Sequence, residues 1–145
     1  MFNGVHLGWS VELGGKSIQI GDIRVNRMES IRPIEIDGTF DCKSWNDVSS
    51  QYRSKDNCAA FSLDAYCDIG EVVLLYRTDK KDNKVWFVDQ SSRWHYMCKT
   101  FTEYFRLLVL HFGLYGWQLA FTPEGLPLTT QQWMGIFCKE RLIVD

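Results

Sequence analysis

Two short apolar runs, at residues 71–77 (EVVLLYR) and 84–89 (KVWFVD), most constrain what this chain can fold into. Both are rich in β-branched and aromatic residues and apolar on both faces of an extended strand, which indicates central strands covered on both sides. The connector TDKKDN sets Lys80 and Lys81 between Asp79 and Asp82, the pattern of a solvated hairpin tip rather than a binding patch.

The segment ahead of these strands carries a second extended signature. From Trp9 to Ile20 apolar and polar residues alternate, with Val11 and Leu13 around Glu12, then Ile18 and Ile20 around Gln19. Gly14-Gly15 stands between the two runs and supplies the positive φ angles that a two-residue hairpin loop requires. A short strand is expected at 23–25, followed by a connection ending at Pro33. Residues 37–57 lose periodicity and collect Ser, Asp, Asn and Lys, the composition of a long surface loop. Order returns at 58–64 (CAAFSLD).

Helical period takes over at Thr100. Thr100-Phe101-Thr102-Glu103 fits a capping box, and the helix is expected to run to about Phe112 and stop at Gly113. Lys99, Thr102, Glu103 and Arg106 share one narrow polar sector, while Phe101, Tyr104, Phe105, Leu107, Leu108, Val109 and Phe112 fill the rest, so most sides of this helix should be covered. Pro127 can open a final helix through about Phe137.

These elements make one α+β domain over residues 1–145, because 145 residues with 46% hydrophobic content support one core and not two. The longest apolar run, Val72 to Tyr76, is five residues, against about twenty for a helical membrane span. Sixteen Lys and Arg against eighteen Asp and Glu, with no basic stripe, argue against nucleic acid. The N-terminus has no basic segment leading into an apolar stretch, so no secretory signal is expected. Five cysteines, Cys42, Cys58, Cys67, Cys98 and Cys138, are odd in number and widely spaced, which fits reduced thiols rather than a disulfide framework or paired zinc ligands.

Catalytic patterns are weak. Gly15-Lys16-Ser17 lacks the glycine five positions earlier that a phosphate loop needs, where Ser10 stands, and no G-x-G-x-x-G run occurs. Gly8-Trp9-Ser10-Val11-Glu12 misses the last glycine of a nucleophile elbow. Asp89, Ser91, Ser92 and His95 could be assembled for acyl transfer, but Asp89-Gln90-Ser91-Ser92 reads first as a turn leaving a strand. His95, between Trp94 and Tyr96, reads as a partly buried hydrogen-bonding residue. His111 reads as a helix-end residue bonded to free carbonyls. With His6, these histidines are too far apart for a local ligand pair, so no metal or cofactor is expected. Six tryptophans, among them Trp86, Trp94, Trp117 and Trp133, read mainly as core fillers, and any exposed patch of them would mark a protein partner.

Gly4-Val5-His6-Leu7-Gly8-Trp9-Ser10-Val11, the strand ending Val85-Trp86-Phe87-Val88-Asp89, and the run from Trp94-His95-Tyr96 through FTEYFRLLVLHFGLYGWQLAFTPEGL to Gln132-Trp133 resemble a family of non-catalytic subunits of tubulin-glutamylating complexes. That family is placed in the Smi/Knr-like, or SUKH, superfamily. The resemblance covers residues 3–137 apart from the 37–57 loop. It implies a curved, mostly antiparallel sheet backed by helices and used as a protein-binding module, with His6, Trp9, Trp86, Asp89, Trp94, His95, Trp117, Gln118 and Trp133 as family-motif positions of structural or interaction type. It further implies that a separate ligase subunit performs the ATP-dependent chemistry on tubulin tails at cytoplasmic microtubules, centrioles and cilia. Family members carry helices before the Gly-x-His-x-x-Trp segment and a basic tail after the final helix. This chain begins almost at that segment and ends at Asp145, so the usual N-terminal helices are expected to be lacking.

Overall fold

Alternation and the glycine pair produce the expected hairpin. Strand β1 (Val5–Leu13) pairs antiparallel with β2 (Lys16–Val25), and Gly14 and Gly15 turn between them at φ +57° and +74°. The computed structural model describes residues 3–36, 58–64, 68–78 and 81–140; the polar 37–57 segment, Cys42, Cys67 and Lys80 lie outside the described residues. The stretch at 23–25 is not a separate strand but the end of β2. Residues 12–19 are exposed, so the tip of the hairpin stands clear of the body.

The second sheet has five strands in the order β3 (Pro33–Ile34), β4 (Cys58–Asp64), β5 (Gly70–Arg77), β6 (Asp82–Asp89) and β7 (Trp94–Cys98), all antiparallel. The two apolar runs are its interior strands β5 and β6, and both faces are buried as their composition requires. Val72, Val85 and Phe87 join one cluster with Tyr104, Leu108 and Trp117, while Val73, Leu75 and Trp86 join a second cluster with Ala60. Strand β7 has no counterpart among the sequence expectations. A register shift between Val85 and Trp86 leaves Met97 without a partner on β6, so WHYMC does not alternate.

Helix α1 (Phe101–Leu110) begins at the expected cap. Thr100 Oγ1 accepts from the Glu103 amide at 3.1 Å, and Glu103 Oε2 accepts from the Lys99 amide at 2.8 Å, one residue earlier than in the usual reciprocal box. The helix ends two residues before the expected Phe112. The Gly113 amide reaches Leu108 O at 3.1 Å and the Phe112 amide reaches Val109 O at 3.0 Å, the paired bonds of a Schellman cap. Phe112, at φ +55°, therefore holds the left-handed position next to the helix end, and Gly113 continues the turn at φ +58°. The expectation that α1 is covered on most sides is corrected. Only Tyr104 and Leu108 are fully buried, and Val109 and Leu110 are 47% and 49% exposed, because a single face of α1 meets the sheet. Helix α2 (Leu128–Phe137) starts where expected, with the Pro127 carbonyl accepting from the Gln131 amide at 3.0 Å.

Trp9 seats the hairpin on the body. Its cross-strand partner is Gly21, and the indole lies so close over that residue that a Cβ there would sit 1.8 Å from Nε1. The indole N–H donates to Phe112 O at 2.7 Å, and the ring meets Phe112 and Phe137 edge-on. A bulge at the same place, between Trp9 and Ser10, leaves Ile20 unpaired in the strand and turns it inward against Leu114 and Met134.

Replacing Gly21 with Ala should therefore unseat Trp9 and lower stability by about 2 kcal/mol, within the range for overpacking. Trp9→Phe, which keeps a ring but loses the indole donor, should cost about 1 kcal/mol. Urea unfolding midpoints of both variants check the ranking, and an unchanged midpoint for Gly21→Ala would show that this contact does not hold the hairpin.

Candidate functional site

The turn after β6 brings Asp89 and His95 together, two of the residues singled out from sequence. Asp89 Oδ2 lies 2.9 Å from His95 Nε2 and accepts from Arg93 Nε at 2.8 Å, while Oδ1 accepts from the amides of Ser91 and Arg93 at 2.8 and 3.0 Å. The Ser92 amide bonds back to Asp89 O at 2.9 Å, so the Asp89–Ser92 turn forms as expected. Both ring and carboxylate are close to buried, at 10% and 9% side-chain exposure, and the ring stacks near Phe87. Burial pushes the Asp89 carboxyl up, but the bonds from His95, the two amides and the Arg93 guanidinium outweigh it and hold the group down at about 2. The histidine's hydrogen bond goes to Asp89 and to no serine among the described residues, so the serine-to-histidine bond that would activate a nucleophile is missing. This cluster locks a turn. Arg93 also reaches Glu124 Oε1 at 2.5 Å, an exposed pair that adds little.

The other sequence-singled positions fall into three settings. Trp86 and Trp117 are core residues: Trp86 packs edge-on to Tyr96, and Trp117 is stacked by His111 at 4.8 Å and Tyr104 at 6.2 Å. His111 is fully buried and sits 2.7 Å from Leu107 O through Nδ1, the helix-end role that its position implies. Trp94 is half-buried against the second core cluster, and Trp133 is half-buried and stacks on Phe137 beside Trp9. Among the described residues no disulfide joins Cys58, Cys98 and Cys138 to one another, and burial pushes the Cys98 thiol up to about 12, which leaves it unreactive at neutral pH.

His6 joins an exposed cluster on the hairpin. Arg24 Nη2 donates to His6 Nε2 at 2.9 Å and is ion-paired with Asp22 Oδ2 at 3.1 Å. Arginine cannot accept, so this histidine nitrogen is the acceptor and cannot also donate to Asp22 Oδ1, although that oxygen lies 3.1 Å away. Asp22 Oδ1 is left buried and without a hydrogen bond.

Asp22 and Gln118 both line a cleft of about 340 Å³ bordered by β2, by Asp64 at the end of β4, by Asp68 and by the segment that follows α1. Backbone bonds frame it. The Asp22 amide donates to Gly113 O at 2.8 Å and the Tyr115 amide to Ile20 O at 3.2 Å, so residues 113–115 run along β2 like a short extra strand. Asp64 and Asp68 line it as well, together with Trp117 and Gln118 of the 3-10 turn Trp117–Phe121. Of these, sequence reasoning had marked only Gln118. Asp22 lies far along the chain from Asp64 and Asp68, and no local motif joins it to them.

The fold and this cleft define an α+β domain in which a five-stranded antiparallel sheet and a separate hairpin, backed by two helices, frame a hollow rich in acceptor groups. Compared with known proteins, the chain is similar to tubulin polyglutamylase complex subunit 2 of Rattus norvegicus and of Mus musculus, each 31% identical over 156 residues, and to that of Homo sapiens, 29% identical over 157 residues. The alignments cover 94% of this chain, and the chain spans about half the length of these curated relatives, 53%, 53% and 52%. The resemblance read from the aromatic pattern thus extends over nearly the whole chain. No protein-family model matches it, and no solved structure matches it significantly.

The lowered Asp89 acidity makes a pH prediction. A carboxyl depressed from 3.8 to about 2 contributes stability that is present above about 3.8 and is lost as pH falls toward 2. Asp89→Asn should remove on the order of 1–2 kcal/mol at pH 7 and flatten the pH dependence in that window. Thermal unfolding of both proteins between pH 2 and pH 7 checks it; parallel curves would contradict the assignment.

Proposed function

We propose that this chain is a non-catalytic subunit of a tubulin-glutamylating assembly, a protein-binding module of Smi/Knr-like type that supports the addition of glutamate to tubulin tails by a separate ligase. The observation that carries the reading is the similarity, over 94% of the chain, to proteins named as subunit 2 of the tubulin polyglutamylase complex. The sorting of reactive side chains supports its non-catalytic half. His95 and Asp89 lock a turn, His111 caps a helix, and the Cys98 thiol is held protonated by burial. The partner-binding half is supported by apolar side chains left in solvent, including Val109, Leu110, Tyr115 and Leu128. No described helix is long and apolar enough to cross a membrane. On this reading the protein acts at the cytoskeleton, including centrioles and cilia, and binds neither nucleic acid nor a cofactor.

Tagged chain expressed in ciliated cells should co-purify other glutamylase subunits together with tubulin-modifying activity, while the purified chain with ATP, glutamate and tubulin should add no glutamate. Recovery of neither the subunits nor tubulin would remove the reading. Recovery of unrelated proteins alone would favour a Smi/Knr-like domain with a different partner, and glutamate transfer by the isolated chain would overturn the non-catalytic role.

A further inference from the structure

Strand β1 forms an open edge. Among the described residues its backbone bonds only to β2, and its side chains stand well out in solvent, His6 at 60%, Leu7 at 58% and Leu13 at 50% exposure. Exposed edges are ordinarily blunted by lysine, proline or a bulge. The nine residues of β1, VHLGWSVEL, contain no lysine or proline, and the bulged residue, Ile20, belongs to β2. The outer edge of β2 is already occupied, because residues 113–115 bond to it. Alternation fixes which groups of β1 face out. The Asp22 amide turns away from β1 to Gly113, so Asp22 and its partner Gly8 exchange no hydrogen bonds with each other. By the same alternation His6, Gly8, Ser10 and Glu12 all direct their N–H and C=O groups to the free edge. The Trp9 indole lies over Gly21, on the β2 side, and leaves that edge clear.

We propose that this edge pairs with the same edge of a second copy, antiparallel about a two-fold axis at Trp9, giving one four-stranded sheet across two chains whichever other partners the adaptor reading supplies. Outward-facing residues must meet outward-facing residues, so only registers that pair even-numbered positions with even-numbered ones form bonds, and the one centred on Trp9 pairs all nine residues. In that register β1 complements its own reverse. Val5 meets Leu13, Leu7 meets Val11 and Gly8 meets Ser10 of the other copy, apolar on apolar and small on small, while His6 meets Glu12. His6 Nε2 accepts from Arg24, so the neutral ring carries its proton on Nδ1 and can donate it to the facing Glu12 carboxylate, which is exposed. Each match occurs twice about the axis, as an isologous contact requires. The neighbouring permitted registers, slid by two residues, lose the match of His6 with Glu12 and leave two residues of each strand unpaired. Pairing also brings neighbours to Leu7 and Leu13, large apolar side chains that their own chain leaves in solvent. A strand of unrelated sequence would need only an extended backbone; the match of β1 with itself favours a second copy.

Sedimentation equilibrium of the full chain, from about 1 to about 500 μM, tests the pairing. The average mass should rise from 16.9 kDa toward twice that value, with a dissociation constant on the order of 10 μM. Leu7→Lys, a change at an exposed residue, should weaken association at least about tenfold while leaving the thermal midpoint of the dilute protein unchanged. His6→Glu faces Glu12 with a like charge at two places and should weaken association about fivefold, and the double variant His6→Glu/Glu12→Lys should restore it. That restoration separates direct pairing from damage to the hairpin, which a second substitution would not repair. In the wild-type protein the amides of Gly8, Ser10 and Glu12 should exchange more slowly as concentration rises. A mass that stays at 16.9 kDa throughout would overturn the pairing. So would a dimer that forms equally well with Leu7→Lys and is indifferent to the charge exchange, since it would use another surface.

Discussion

An indole laid across a glycine fixes where the two-stranded sheet sits. Among the described residues the hairpin shares no ladder with the five-stranded sheet, so its placement there depends on side chains and a few backbone bonds. Trp9 over Gly21 is the centre of that arrangement. Its N–H holds the Phe112 carbonyl, its ring meets Phe112 and Phe137, and the bulge beside it delivers Ile20 to the small core shared with Leu114 and Met134. The acceptor-lined cleft forms along the same junction, because Gly113 and Tyr115 bond to β2 just past that ring.

Phe112 shows how tightly the junction is specified. A bulky residue at positive φ is disfavoured, and glycine was available one position later. The backbone nevertheless places Phe112 there, where its carbonyl takes the Trp9 indole and its ring packs against the same side chain. The local cost at the helix end is offset by contacts between elements about a hundred residues apart.

Much of the fold was legible because local chemistry and tertiary setting agreed. The β-branched runs became interior strands, Gly14-Gly15 became a hairpin turn, and Thr100 with Glu103 capped α1. Legibility failed where tertiary geometry overrides period. The bulge at Met97 hides β7 and the Schellman cap shortens α1, whereas the exposure of Val109 and Leu110 follows the helical period itself: a rotation of about 100° per residue puts both in the sector of Thr102, Glu103 and Arg106, opposite Leu108, a sector that the sequence reading drew too narrowly. At the site, Asp89 and His95 were readable because six residues separate them, and their bond is structural. The cleft was not readable, since Asp22, Asp64 and Gln118 come from three distant segments and only the folded chain sets them around one hollow.

The separation of the two sheets shapes how this domain can open. Lifting the hairpin would break side-chain contacts and single bonds such as Asn26 N to Leu63 O at 2.7 Å, yet every ladder of the larger sheet would survive. The hairpin is therefore a separable unfolding unit, whose amides can exchange with solvent through excursions that leave the interior amides of β5 and β6 protected. Such an excursion would also part the walls of the cleft, so whatever fills that hollow would slow the breathing of strands that lie outside it.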